Sequence, residues 1–298
     1  MDSKLIDRIK SSTVGLGLVD KNQFLPKAIF GSGFFVKPQG YIMTAQHVLS
    51  DCINWYRFLN RDSITVEIVA FHIREDKSTI NLDTLPLEIA SQPSHPYGTG
   101  EYPGPEDPDI GYAIPNEKLN VPYLDFKQED RIDLYSEICV TGYPAGSQSL
   151  DPQKKHGGVR FNPVVQFGRV SGYMPHDYSR VPYAVQTDII GTAGSSGSPI
   201  VELKTGEVIG FAQRVFTSDI NFEIPPFELS KNLKTPEISA TGTAKIGLIY
   251  GLTTFQFPDF PDKLQAFVEN KTPLYVKFRS TNLRIKEFRK IGNKPWLP

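Results

Sequence analysis

Cysteine is nearly absent: 298 residues contain two, Cys52 and Cys139. Two isolated cysteines close at most one disulfide and cannot build the cross-linked framework of a small secreted domain. Cys139 lies in an apolar run, where a thiol behaves as a small buried hydrophobe, in keeping with a reducing compartment. An excess of either charge is also lacking, since 32 Lys and Arg against 33 Asp and Glu leave a net charge of −1. No global attraction to nucleic acid or to an anionic membrane follows from that balance. No apolar run is long enough to suggest a membrane span. The opening residues MDSKLIDRIKSSTVGLGL lack the basic flank, apolar stretch and small-residue cleavage site of a signal peptide. A cytoplasmic protein is therefore expected. H-E-x-x-H and paired C-x-x-C motifs are missing too, so neither a metal nor another cofactor is expected.

What is present is a series of short apolar runs separated by Gly, Pro, Asn and Asp. They include 28–36, 63–71, 136–143, 164–173, 183–190, 206–216 and 244–252. These runs are rich in β-branched and aromatic residues, and 24 Gly and 24 Pro supply many turns. Such a pattern predicts an all-β sandwich or barrel. Helical spacing is confined to the ends. Leu5, Ile6 and Ile9 mark one short helix, and 261–270 another, with Pro261 in its first turn and Leu264, Phe267 and Val268 on one stripe.

Two loops, 91–108 and 223–243, are rich in polar residues and Pro or Gly, and suit either specificity elements or plain surface insertions. The tail 271–298 carries eight Lys and Arg against Glu287 alone. It could dock on an acidic surface, but the simpler reading is a solvated element with Leu274, Val276 and Phe278 turned inward.

A serine hydroxyl is a poor nucleophile at neutral pH. It needs a base, usually His, and that base needs a carboxylate to fix its tautomer. Ser196 sits in GTAGSSGSPI, bracketed by Gly194 and Gly197 and followed by Pro199. A turn so rich in Gly can aim successive N–H groups into one concavity. Apolar strands on both sides argue against a loose linker. His47 lies in GYIMTAQHVLS, and Asp109 precedes an apolar run with Asp107 as a competitor. His72 reads as a packed core residue, while His95, His156 and His176 fall in loop-like sequence.

These segments resemble a known family. TAQHV (44–48), DIGYAI (109–114) and GSSGSP (194–199) are similar to the His, Asp and Ser segments of chymotrypsin-like serine proteases, in that family's order. GSGFFV (31–36), TGYPAG (141–146), FGRVSGY (167–173), QTD (186–188) and GEVIGFA (206–212) resemble the HtrA/Deg-like bacterial branch. The resemblance covers roughly 28–256. It implies two six-stranded antiparallel β-barrels with short terminal helices. The implied divisions are an N-terminal segment (1–27), a first barrel (28–125) with His47 and Asp109, a second barrel with a C-terminal helix (126–270) containing Ser196, and a basic tail (271–298).

The resemblance further implies a serine endopeptidase in which Ser196 attacks, His47 is the base and Asp109 orients it. The N–H groups of Gly194 and Ser196 would form the oxyanion hole. Phe211, Ala212 and Gln213 would hold an extended peptide, and Ile190, six residues before the nucleophile, would favour a small or medium apolar side chain over Lys or Arg. About 40 residues follow the match, too few for the PDZ domain of HtrA proteases. Ser195 replaces the Asp that digestive enzymes use in zymogen activation. The expected partner is a protein or peptide substrate, with an activating partner or oligomer compatible with this pattern. The alternative is a non-catalytic protease-fold module that binds a peptide or protein.

Overall fold

Runs of Val, Ile and Phe cannot bury both of their faces alone, and here they solve the problem by closing on themselves. The computed structural model describes residues 2–22, 26–61, 65–76, 79–91, 109–144, 162–224, 240–270 and 289–290. The first barrel contains β1 (Thr13–Asp20), β2 (Pro26–Phe35), β3 (Ile42–Thr44), β4 (Val66–Asp76), β5 (Thr79–Ser91) and β6 (Gly111–Pro115). Its antiparallel order β5-β4-β1-β2-β3-β6 closes through a β5–β6 pairing. The second contains β7 (Glu137–Gly142), β8 (Val164–Met174), β9 (Ala184–Gly191), β10 (Pro199–Glu202), β11 (Val208–Ile224) and β12 (Ala240–Thr253). It closes in the order β10-β11-β12-β9-β8-β7. Closure leaves no free sheet edge within either barrel. The expected pair of six-stranded barrels is what the chain forms.

The first barrel begins earlier than residue 28, because β1 pairs with both β2 and β4. All eight residues of β1 are buried, so this strand is central and not part of an N-terminal segment. The second barrel has its own apolar centre, including Val140, Val170, Val185, Ile200, Ile209, Ile249 and Phe255.

Among the described residues three α-helices lie on the barrels. α1 (Ser3–Ser11) is capped by Asp2, whose carboxylate accepts the Lys4 N–H at 3.0 Å. It touches both barrels: Ile9 is buried in the apolar core that includes the first barrel's strands, while Arg8 donates to the Gly206 carbonyl of the second barrel at 2.9 Å. α3 (Phe260–Asn270) forms where its apolar stripe predicts, but it packs on the first barrel. There Tyr112 meets Phe260 and Phe267 edge-on, with ring centroids 6.3 and 6.0 Å apart. α2 (Gln46–Arg61) is not foreshadowed by the sequence pattern. Its Asp, Asn, Cys and aromatic residues are indifferent helix formers. Burial of Val48, Leu49, Cys52 and Ile53 holds it against the first barrel.

A two-residue strand β13 (Arg289–Lys290) pairs with Ser91 and Ala90 on β5. The rest of the basic tail, loop 92–108 and segment 225–239 lie outside the described residues. Among the described residues no helix is long and apolar enough to cross a membrane.

Candidate active site

His47 occupies the first turn of α2, and Asp109 stands just before β6. The two elements meet because Gln46 donates its N–H to the Asp109 carbonyl at 3.4 Å. Asp109 is 5% exposed, and each of its carboxylate oxygens meets His47. Oδ2 lies 2.6 Å from His47 Nδ1, and Oδ1 accepts the His47 main-chain N–H at 2.9 Å. Ring and backbone are thus held together, which leaves Nε2 as the ring nitrogen turned away from Asp109. Asp107, the competing carboxylate, lies outside the described residues, as do His95 and His156.

Ser196 sits in the turn between β9 and β10. Two overlapping turns shape it: Ser195 N–H donates to Thr192 O and Ser198 N–H to Ser195 O, each at 3.1 Å. Gly194 and Gly197 have φ of +88° and +82°, a left-handed backbone that other residues adopt only at a cost. At Gly197 a Cβ would also strike the Ser32 carbonyl oxygen. Among the described residues the N–H groups of Gly194 and Ser196 donate to no protein acceptor.

The first barrel buttresses this turn through Ser32, which the motif comparison did not single out. Ser32 N–H donates to Ser196 O at 2.7 Å, and Ser32 Oγ donates to Gly194 O at 2.8 Å. The same Oγ accepts the Tyr143 N–H at 2.9 Å, and Thr44 Oγ1 donates to Ser32 O at 2.6 Å. Its small size inside GSGFFV was the available signal.

Gln213 links the two halves of the site. Its Nε2 donates to the Asp109 carbonyl at 3.2 Å, and its own carbonyl accepts the Ser196 hydroxyl at 3.3 Å. Gln213 is the extra residue of a β-bulge, since Ala212 pairs with Gly251 and Arg214 with Tyr250. A bulge breaks ladder pairing and re-aims the strand.

The proposed substrate strand is corrected in part. Ala212 N–H donates to Ser198 O at 2.8 Å and Ala212 O accepts Gly197 N–H at 2.7 Å, so neither is free for a peptide. Phe211 is fully buried and paired with Pro199 on one side and Leu252 on the other. Only from Gln213 onward does β11 leave the β10 ladder. Ile190 is 54% exposed and pairs with Leu248. The side chains of 214–247, where the other pocket wall is expected, lie outside the described residues.

Other titratable groups nearby have separate roles. Burial raises the Asp51 carboxyl, His47 pulls it back down, and Asp109 adds to the rise. Cys139 is a buried thiol pushed up to about 12 by desolvation, and Cys52 is raised in the same way. Thiols held this far above neutrality are inert. His72 is buried, as its strand position suggested, with Nε2 2.9 Å from the Ser11 carbonyl.

Two closed six-stranded barrels, with His and Asp segments on the first and a Gly-bracketed Ser turn on the second, define the chymotrypsin-like class. The chain belongs to the trypsin-like peptidase domain family, whose model matches residues 31–211. It is similar to a probable periplasmic serine endoprotease, DegP-like, of Ectopseudomonas mendocina (strain ymp). That match has 24% identity over 216 residues, covering 68% of this chain and 35% of the relative. Serine protease HTRA1 of Xenopus tropicalis is 24% identical over 282 residues, covering 91% of this chain and 52% of the relative. The HtrA-type protease AlgW with a decapeptide aligns at TM-score 0.49 and 16% identity, covering 89% of this chain and 66% of that one. The chain thus spans about a third to a half of the length of these curated relatives.

The expected cytoplasmic location is overturned by these comparisons, since the DegP-like relatives are named as periplasmic. A first segment without leader features does not place the chain in the cytoplasm.

Proposed function

We propose that the chain is a serine endopeptidase acting through Ser196, His47 and Asp109. The observation that carries this reading is the double hold of Asp109 on His47, 2.6 Å to the ring and 2.9 Å to the backbone. A carboxylate on Nδ1 keeps the imidazole in the tautomer whose Nε2 accepts a proton, and stabilises the cation that results.

The Ser196 hydroxyl turns from the Gln213 carbonyl toward His47 Nε2 and attacks the substrate carbonyl carbon. The new C–O bond places the carbonyl electron pair on oxygen, and the hydroxyl proton passes to His47. The Gly194 and Ser196 N–H groups receive that oxyanion, in keeping with their lack of protein acceptors. One such donor is worth about 3–4 kcal/mol in the transition state. Collapse expels the amine, which takes the proton from His47, and water then hydrolyses the acyl-enzyme. The backbone from Gln213 onward pairs with the extended peptide on the acyl side, and Ile190 contributes an apolar surface to the pocket for the residue before the cut. A protein or peptide substrate follows from the peptidase family.

Labelling with a fluorophosphonate probe tests the reading. Wild-type protein is expected to be labelled and Ser196→Ala protein not. A second reading, a peptide-binding module without turnover, draws on the Ser196 hydroxyl's bond to the Gln213 carbonyl. Peptide binding equal in wild type and Ser196→Ala, with no labelling of either, would establish it.

A further inference from the structure

The helix that carries His47 also carries two large aromatic side chains in solvent. Trp55 is 49% exposed and Phe58 55%. His47, Asp51, Trp55 and Phe58 recur at spacings of four, four and three, which places them on one stripe of α2. The core of the first barrel is complete without the two aromatics, because Val48, Leu49, Cys52 and Ile53 supply the buried face of the helix.

A third ring joins them from the barrel. Phe30 stacks on Trp55 with centroids 6.3 Å apart and planes at 26°, and Trp55 meets Phe58 edge-on at 5.6 Å. Phe30 reaches Trp55 at a break in its ladder. Leu16 pairs with Gly31 and Gly17 with Ile29, so Phe30 is the extra residue of a β-bulge. Bulges beside reaction centres commonly re-aim a side chain.

The strip approaches the site at its Phe30 end. The residue after Phe30 is Gly31, where an added Cβ would lie 3.0 Å from the Ser196 carbonyl oxygen. Gln213, where the acyl side of a substrate would lie, contacts Ser196 from another strand, in the second barrel. The aromatic strip, on the first barrel, therefore belongs to the leaving-group side. Trp55 lies eight residues beyond His47, about 12 Å along the helix axis. An extended peptide rises about 3.3 Å per residue. A peptide running along α2 from the cut bond would bring its third or fourth residue to the rings.

We propose that Phe30, Trp55 and Phe58 form a subsite that takes a bulky apolar or aromatic side chain on the leaving-group side of the substrate. This inference rests on the peptidase reading above. Stacking of a planar ring or an aliphatic chain on a fixed aromatic surface provides the selection.

The test compares wild type with a Trp55→Ala/Phe58→Ala double variant on a peptide library made from denatured protein, with cut sites read by mass spectrometry. Wild type is expected to enrich Phe, Tyr, Trp, Leu and Met at the third or fourth position after the cut. The double variant should lose that enrichment by about fivefold or more. Its fluorophosphonate labelling rate should stay unchanged, since the probe has no peptide leaving group, and a cooperative melting curve, lowered by no more than the lost ring contacts, should show that it remains folded. Absence of labelling in wild type would sink the peptidase reading, and this subsite with it. Normal labelling with no enrichment, or with enrichment retained in the variant, would overturn the subsite alone. So would a concentration-dependent dimer that the double variant abolishes without changing cleavage selectivity.

Discussion

The N–H of Ser32 in the first barrel donates to the carbonyl of Ser196 in the second at 2.7 Å. With Ser32 Oγ on Gly194 O at 2.8 Å, one small residue pins both ends of the segment whose N–H groups would face the oxyanion. The Ser196 turn is therefore shaped by a strand about 160 residues away in sequence.

Ser32→Ala removes a buried hydroxyl that serves Gly194 O and the Tyr143 N–H at once. Orphaning buried polar groups costs about 1–3 kcal/mol. A lowered denaturation midpoint is expected, together with a fall in kcat that exceeds any rise in KM, because the oxyanion donors lose their alignment. Steady-state kinetics beside chemical denaturation would check both.

Asp109→Asn keeps the size of the side chain but presents an amide to His47. Wherever the amide NH₂ faces Nδ1, it favours the tautomer that puts the proton on Nε2. Turnover is expected to fall by about 10⁴ while folding stability changes much less. Single-turnover acylation, read next to a melting curve, separates chemistry from unfolding.

His72 makes stability depend on pH. Burial pushes its imidazole below the ordinary value of 6.5, and the Ser11 carbonyl and Asp83 pull only part of the way back against Arg74. The unfolded chain takes up this proton first, so protons favour unfolding. Stability should be full above 6.5 and fall as pH drops below it, by at most about 1.4 kcal/mol per pH unit for one proton. Denaturation midpoints between pH 7 and 5 should show this slope in wild type and lose it in His72→Gln.

Lys127 is buried with its ammonium 2.9 Å from Glu202 and 3.2 Å from Glu207. Burial pushes its pKa down, and the two carboxylates more than offset that, so it stays charged. Lys127→Met leaves buried Glu202 without its counter-ion, and a loss of about 3–5 kcal/mol is expected. A thermal unfolding scan would show it as a large drop in Tm, and a change within error would sink the assignment.

Much of the chemistry was readable from local sequence. The glycines of GSSGSP permit the positive φ that the turn adopts, and TAQHV and DIGYAI each combine a polar residue with an apolar segment that must be buried. The terminal helices were legible for the same reason, since Ile9 and Leu264 stand on short periodic stripes. α2 was not, because its residues have weak helical preference and it exists by packing on the barrel. The unavailability of the Ala212 backbone was equally hidden, since its two hydrogen bonds go to the turn that carries Ser196.

By itself, the sequence determined the β-rich character of the chain, the barrel family its motifs resemble, and the three residues nominated for catalysis. These depend on side-chain periodicity and turn chemistry over a few neighbouring positions. Only the tertiary structure decided that β1 is central to the first barrel, that α3 returns to that barrel, that Ser32 braces Ser196, and that bulges turn Phe30 to Trp55 and leave Gln213 between Asp109 and Ser196. Each of these depends on cross-strand register and on contacts between distant segments. A bulge belongs to a pair of strands, and neither strand's residues specify it alone.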